Sequence, residues 1–226
     1  MKKKAQQSET TKLIVAAVVL ILLLLLATRI NEELSKTSKM NMCKTSIGKA
    51  EQMESKGGVI GRVREKLVKS VLSRDLECGM DIVDIAKAKL PKDKEKAADF
   101  VMEKFADAFY YGWYVTNKGE YRKFVETPNS CLLIARINMF KVSEVLSEND
   151  FLDFDKWTET HNIPGTSQTY ASFIGTYGNT YLAVNGIDPR SNYYVIVKWQ
   201  SKGGTPIVRS YKEQELIDAK CQVFLN

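Results

Sequence analysis

The chain has 226 residues, 44% apolar, 10% aromatic and 27% charged, with a net charge of +6. That balance excludes a disordered polymer, and the length allows one domain of ordinary size behind a terminal segment. The charge is lopsided: residues 1–70 carry 14 Lys/Arg against 6 acids, whereas 71–226 carry 19 against 21. No basic patch with interleaved aromatics occurs, so no nucleic-acid partner is expected. Bases near a bilayer instead gain about 1 kcal/mol each from anionic lipid.

After a short basic tail (1–12), residues 13–27 are uninterrupted apolar chain bracketed by Lys12 and Arg29. As a helix they would be about 23 Å long. Extended to residue 30, with Lys12 and Arg29 snorkelling, 13–30 reads as a single transmembrane helix in contact with the lipid bilayer. A cleaved signal peptide would want small residues at its cleavage site, but Ala27-Thr28-Arg29 places a bulky Arg there, so the segment reads as a retained signal-anchor. A pilin-like leader ending near Gln6 is the alternative, against which stands Lys12. The positive-inside rule is evenly divided, four bases before the span and four soon after it. All four cysteines (Cys43, Cys78, Cys131, Cys221) follow the span, and an even number there suits two disulfides in an oxidising compartment. The expected placement is a single-pass cell-membrane protein with its N-terminus cytoplasmic and its C-terminal domain outside.

Residues 31–58 read as a juxtamembrane helix or polar stalk ending at Gly57-Gly58, with the soluble domain occupying 59–226. From Val59, apolar residues recur at three- and four-residue steps through Leu76 and on to Leu90, which predicts a helix halted by Pro91. A second helix is predicted over 92–116, with Asp93 as cap and Asn117-Lys118-Gly119 as stop. Its apolar stripe is Ala97, Phe100, Val101, Phe105, Ala108, Phe109 and Trp113. These two helices are expected to pack as an antiparallel pair. Residues 131–140 read as a strand covered on most of both faces. Residues 149–160 read as a short helix capped by Asp150, with Phe151, Phe154 and Trp157 turned inward, and 166–174 as a turn or two around Tyr170, Phe173 and Ile174. Tyr193–Gln200 is the clearest strand; Ser201-Lys202-Gly203-Gly204 turns it back into 205–211, and 221–225 could close the sheet. The expected class is α+β: a transmembrane helix, a helical membrane-proximal region, then a small antiparallel sheet with short helices.

Four cysteines allow three pairings. Cys131 and Cys221 both begin predicted strands, which favours that bridge and leaves Cys43 with Cys78, across the Gly57-Gly58 break. No catalytic constellation is legible. His161 lies in a turn-like His-Asn-Ile-Pro-Gly, Ser167 lacks a nucleophile elbow, no phosphate loop occurs, and the cysteines have no C-x-x-C spacing. No metal or cofactor is therefore expected. The acids Glu148, Asp150, Asp153, Asp155 and Glu159 fit no calcium loop and suit a helix N-terminus instead. The most unusual composition is Phe109–Tyr114. Tyr110, Tyr111, Trp113 and Tyr114 are candidate binding residues of a stacking surface. The competing reading puts Phe109 and Trp113 in the core with the tyrosines around them, hydroxyls in water. Tyr177, Tyr181, Tyr193 and Tyr194 add to a Tyr-rich distal half.

The run from Trp113 to Gly119-Glu120, the strand Cys131-Leu132-Leu133-Ile134, and Ile163-Pro164-Gly165-Thr166 leading to Tyr170 and a strand at 193–197 resemble a group of uncharacterised single-span archaeal proteins. The resemblance covers about residues 95–200. Its members carry further cysteines where Gly112 and Ile134 stand here, and it implies no activity. The functional expectation is a non-enzymatic, membrane-anchored extracytoplasmic domain acting through a protein partner, as a component or accessory of a cell-envelope assembly. The alternatives are an envelope ligand-binding sensor or hydrolase using the Tyr-rich surface, and a pilin-like subunit.

Overall fold

The computed structural model describes residues 2–55, 76, 78–122, 129–175, 186–201, 204, 206–216, 221 and 223–225. Most of the helical pattern expected over 59–90, Tyr177, Tyr181 and the tip of the 201–204 turn lie outside them. The chain divides into two compact units, Met1–Lys39 and Met40–Asn226.

Helix α1 (Lys2–Ser55) holds no proline, and its first glycine is Gly48. In the first unit the side chains described from Ile14 to Thr28 are all exposed, Ile14 and Leu20 at 60% and Leu23 at 58%. Among the described residues no helix is long and apolar enough to cross a membrane, so the span read from the sequence rests on the sequence alone.

The second unit begins on the same helix, inside the segment that the sequence reads as helix or stalk. Met40, Cys43, Ile47 and Ala50 fall at three- and four-residue steps and are buried in the main core. The unit is α+β. Its strands are β1 (Asp81–Ala86), β2 (Ser130–Phe140), β3 (Tyr193–Trp199), β4 (Pro206–Lys212) and β5 (Val223–Leu225); its further helices are α2 (Lys94–Val115), α3 (Phe154–Thr160) and α4 (Tyr170–Gly175).

The sheet runs β1-β2-β3-β4, with β5 also on β2. It is mixed, which corrects the antiparallel expectation. β2–β3 and β3–β4 are antiparallel, but β1 and β5 both run parallel to β2, β5 beside Ser130–Leu132 and β1 beside Ala135–Phe140. A second correction concerns 81–90. Asp81-Ile-Val-Asp-Ile-Ala is a strand and Lys87–Lys89 a 3-10 turn. The apolar spacing there satisfies a helix, but Ile82, Val83 and Ile85 are β-branched, and pairing with β2 decides in favour of the strand. The expected antiparallel helix pair is therefore not formed over 81–90, and α2 packs on the sheet instead.

α2 is as the sequence predicts. The Asp93 carboxylate accepts from Lys96 N–H at 3.0 Å, and Asn117, Lys118 and Gly119 take φ of 49°, 56° and 81°, ending the helix in left-handed backbone. One face of the sheet, with Ile85, Leu132, Ala135, Ile137, Val195, Val197, Trp199 and Val208, joins the buried face of α2 in a single core. Phe105 stands edge-on to Tyr193 with centroids 5.1 Å apart. Phe151, Phe154 and Trp157 close one end of that core, as expected.

Both expected disulfides are present, Cys43–Cys78 and Cys131–Cys221. The first does not join two helices, because Cys78 lies in irregular chain leading into β1. It fastens the C-terminal part of α1 to the start of the sheet. The second ties the start of β2 to the chain just before β5.

Candidate functional site

The four aromatic candidates do not share a surface. Successive residues of a helix turn by about 100°, so Tyr111 and Trp113 point into the core at 7% and 1% exposure while Tyr110 and Tyr114 stay half-buried. Tyr110 packs edge-on against Phe173 at 4.7 Å, and burial and then the neighbouring Tyr114 and Asp107 push its hydroxyl pKa up. Tyr114 donates to Asn41 Oδ1 at 2.7 Å and lies under Lys44 Nζ, 4.5 Å from its ring centre. These contacts fasten α1 and α4 to α2.

His161 stacks on Trp157 at 4.0 Å, and its Nδ1 is 2.8 Å from the Trp157 carbonyl. Two of the acids at 148–159 are used structurally. Asp150 accepts from the Ser147 N–H at 2.8 Å and pairs with Lys94, and Glu148 pairs with Arg190 at 2.7 Å. No group able to hold a metal ion occurs among the described residues. A cavity of about 370 Å³ lies between Ser143, Ser147, Glu148, Asn149 and Arg190. The guanidinium of Arg190 already holds Glu148 and Asp188.

The unusual chemistry lies on the second face of the sheet. A bulge at Ile134, between the pairs Leu133↔Ile196 and Ala135↔Val195, shifts the register of β2 against β3. Beyond it the residues of β2 alternate strictly, and Arg136, Asn138 and Phe140 point away from α2. In register beside them are Ile82, Asp84 and Ala86 of β1, and the row continues through Arg136↔Tyr194↔Tyr211. At the other end of this face Cys131, Leu133 and Ile196 form a small second cluster with Leu216 and Cys221, against which Tyr194 and Tyr211 also pack. Among the described residues the β1–β2 end has no such cover: Ile82 is 59% and Phe140 66% exposed.

Here Glu213 gathers three partners. Arg136 donates to its Oε1 at 3.1 Å, Tyr194 Oη to the same oxygen at 3.3 Å, and Asn192 Nδ2 to Oε2 at 3.4 Å. The Arg136 guanidinium also sits 5.5 Å from the Tyr194 ring centre. Asn138 Nδ2 donates to Asp84 at 2.7 Å, which fixes its amide so that Oδ1 is the atom left over. Four buried side-chain nitrogen or oxygen atoms lack a hydrogen-bond partner among the described residues. Three of them, Arg136 Nε, Asn138 Oδ1 and Arg209 Nε, belong to this face. Buried polar atoms are nearly always satisfied, so three on one face of the sheet is an uneven distribution.

Sequence reasoning passed over Arg136, Asn138 and Arg209. The available signal was the polar alternation at 136 and 138 inside an apolar strand, which marks one face as uncovered. No protein-family model, curated protein or solved structure matches the chain, so the site is defined by its own geometry.

Proposed function

We propose that residues 13–30 anchor this protein in a cell membrane, and that the unit from Met40 onward works outside that membrane as a non-enzymatic domain. It would dock a protein partner through the second face of its sheet, as a component or accessory of a cell-envelope assembly. The anchor is supported by the unbroken apolar run of the sequence. The compartment is supported by two disulfides that consume all four cysteines.

The observation that carries the docking reading is the uncovered sheet end. Exposed Ile82 and Phe140 stand beside Arg136 and two unsatisfied buried atoms, Arg136 Nε and Asn138 Oδ1, in a row that Tyr194 and Tyr211 continue. Arg and Tyr with an apolar anchor are the residue types that dominate protein contacts. Parallel strands are in addition almost always covered on both faces, and the described residues cover the β1–β2 pair on one.

The test treats intact cells with a membrane-impermeant maleimide, with and without prior reduction, and reads the mass shift of the protein. Labelling of intact cells only after reduction is the expected result. Labelling that needs lysis and no reductant would place the domain inside with free thiols and overturn the reading.

A further inference from the structure

β1 is the outermost strand on its side of the sheet, and among the described residues nothing pairs with its far edge. Six residues of open backbone span about 20 Å. Such an edge is a template for another strand unless it is blunted, and the usual blunting devices are Pro, Lys or a covering loop. β1 carries none of the three among the described residues. Its exposed side chains are Asp81 on the α2 side and Ile82 and Asp84 on the other, with Phe140 on that second face one strand further in. Among the described residues neither acid makes an ion pair. Asp84 accepts from the neutral amide of Asn138, and Lys87, just past the strand, is held by Glu144 at 2.7 Å. A second copy of this chain is a poor occupant, because it would bring the same two acids to both sides of the junction.

We propose, building on the docking reading above, that β1 receives an extended basic and apolar segment of a protein partner as an added strand. The backbone edge supplies ladder hydrogen bonds, Asp81 and Asp84 select Lys or Arg, and Ile82 with Phe140 meets the partner's apolar side chains.

The full chain in detergent micelles is titrated into fluorescent heptapeptides and anisotropy is read. The probes are a Lys-Thr-Val repeat (Lys/Val), which spaces Lys by three like Asp81 and Asp84 and sets Val two from Lys like Ile82 and Asp84, the same repeat with Glu for Lys (Glu/Val), and the Lys/Val peptide with a central Pro. The expected result is binding of Lys/Val about tenfold tighter than Glu/Val, lost with the central Pro. An Asp81→Lys/Asp84→Lys variant should invert the charge preference, with unfolding followed by Trp fluorescence to show that it is folded. If that variant does not fold, Asp81→Asn/Asp84→Asn should erase the preference. Equal binding of the Lys and Glu peptides, or binding that survives the Pro, overturns strand addition. A photo-crosslinking amino acid placed in cells at Ile82, Phe140 or Tyr211 separates the two readings. Crosslinks at Tyr211 without Ile82 or Phe140 overturn the strand and leave the docking face standing, and no crosslink at any of the three overturns both.

Discussion

Gly112 sits where α2 comes closest to the sheet. A Cβ placed there would lie 3.0 Å from Val208 Cγ1, 3.1 Å from Val197 Cγ2 and 3.3 Å from Val208 Cγ2. Both valines are buried and β-branched, on neighbouring strands in register, so neither can swing its methyl groups aside. Gly112→Ala therefore sets two effects against each other. Replacing glycine within a helix gains about 1 kcal/mol of propensity, while forcing a methyl into a filled core costs about 1–3 kcal/mol. The stiffness of both neighbours decides for the cost, and a net loss of about 1 kcal/mol is expected. Val208→Ala alone should cost about 2 kcal/mol in lost transfer energy and cavity. The double variant should lose about 1 kcal/mol less than the sum, because the new methyl fills the space that Val208 vacates. The assay is guanidinium unfolding of the full chain in detergent micelles, read by the fluorescence of Trp113, Trp157 and Trp199, which all lie in the second unit. A stabilised Gly112→Ala, or a double variant additive to within about 0.5 kcal/mol, would refute the close-approach argument.

Removing Cys131–Cys221, whose partners are 90 residues apart, by alanine at both positions should cost about 4–5 kcal/mol, and removing Cys43–Cys78, 35 apart, about 4, by the same unfolding assay. Burial pushes the Asp188 carboxyl up, but the Arg190 N–H and guanidinium, Lys212 and the Ser191 hydroxyl outweigh it and hold the group well below the usual carboxylate range. Its stabilisation is thus present above about pH 4 and lost as the pH falls further. Asp188→Asn should cost about 1–2 kcal/mol at pH 7 and clearly less at pH 3, and an equal cost at both would refute the assignment. Burial raises the Tyr193 hydroxyl to about 12, and burial with Asp107 raises Tyr170 further. The unfolded chain then loses these protons first, so stability should fall from about pH 10 towards 12. An ultraviolet titration should leave these two phenols unionised at pH 11, and Tyr170→Phe with Tyr193→Phe should remove the late phase. Tyr170 also donates to Asp107 at 2.6 Å, and losing that bond should cost about 1–2 kcal/mol in thermal unfolding of Tyr170→Phe.

The elements legible from the sequence are those whose determinants are local. α2 carries its own cap at Asp93, its stripe and its stop at Asn117–Gly119, and all three act within a few residues of chain. The hairpin of β3 and β4 was equally readable, because a short turn fixes their register. The cysteine pairing came out as well, although one of its reasons did not, since Cys78 precedes a strand and is not on a helix. β1 was not legible. Its apolar spacing suits a helix as well as a strand, and the choice is made by a partner strand some fifty residues later in the chain. Parallel pairing leaves no turn signature in sequence, and so the mixed sheet was missed. The second face of the sheet has the same origin. Arg136, Tyr194 and Tyr211 become neighbours only when three strands lie in register, and a one-residue bulge at Ile134 sets which β2 side chains turn away from α2. The sequence by itself determined the apolar segment, the helix on the sheet and the cysteine bookkeeping, each a matter of composition or local geometry. Which face of the sheet stays open, and which charges stand on it, was decided by long-range strand pairing, whose register no local stretch of chain encodes.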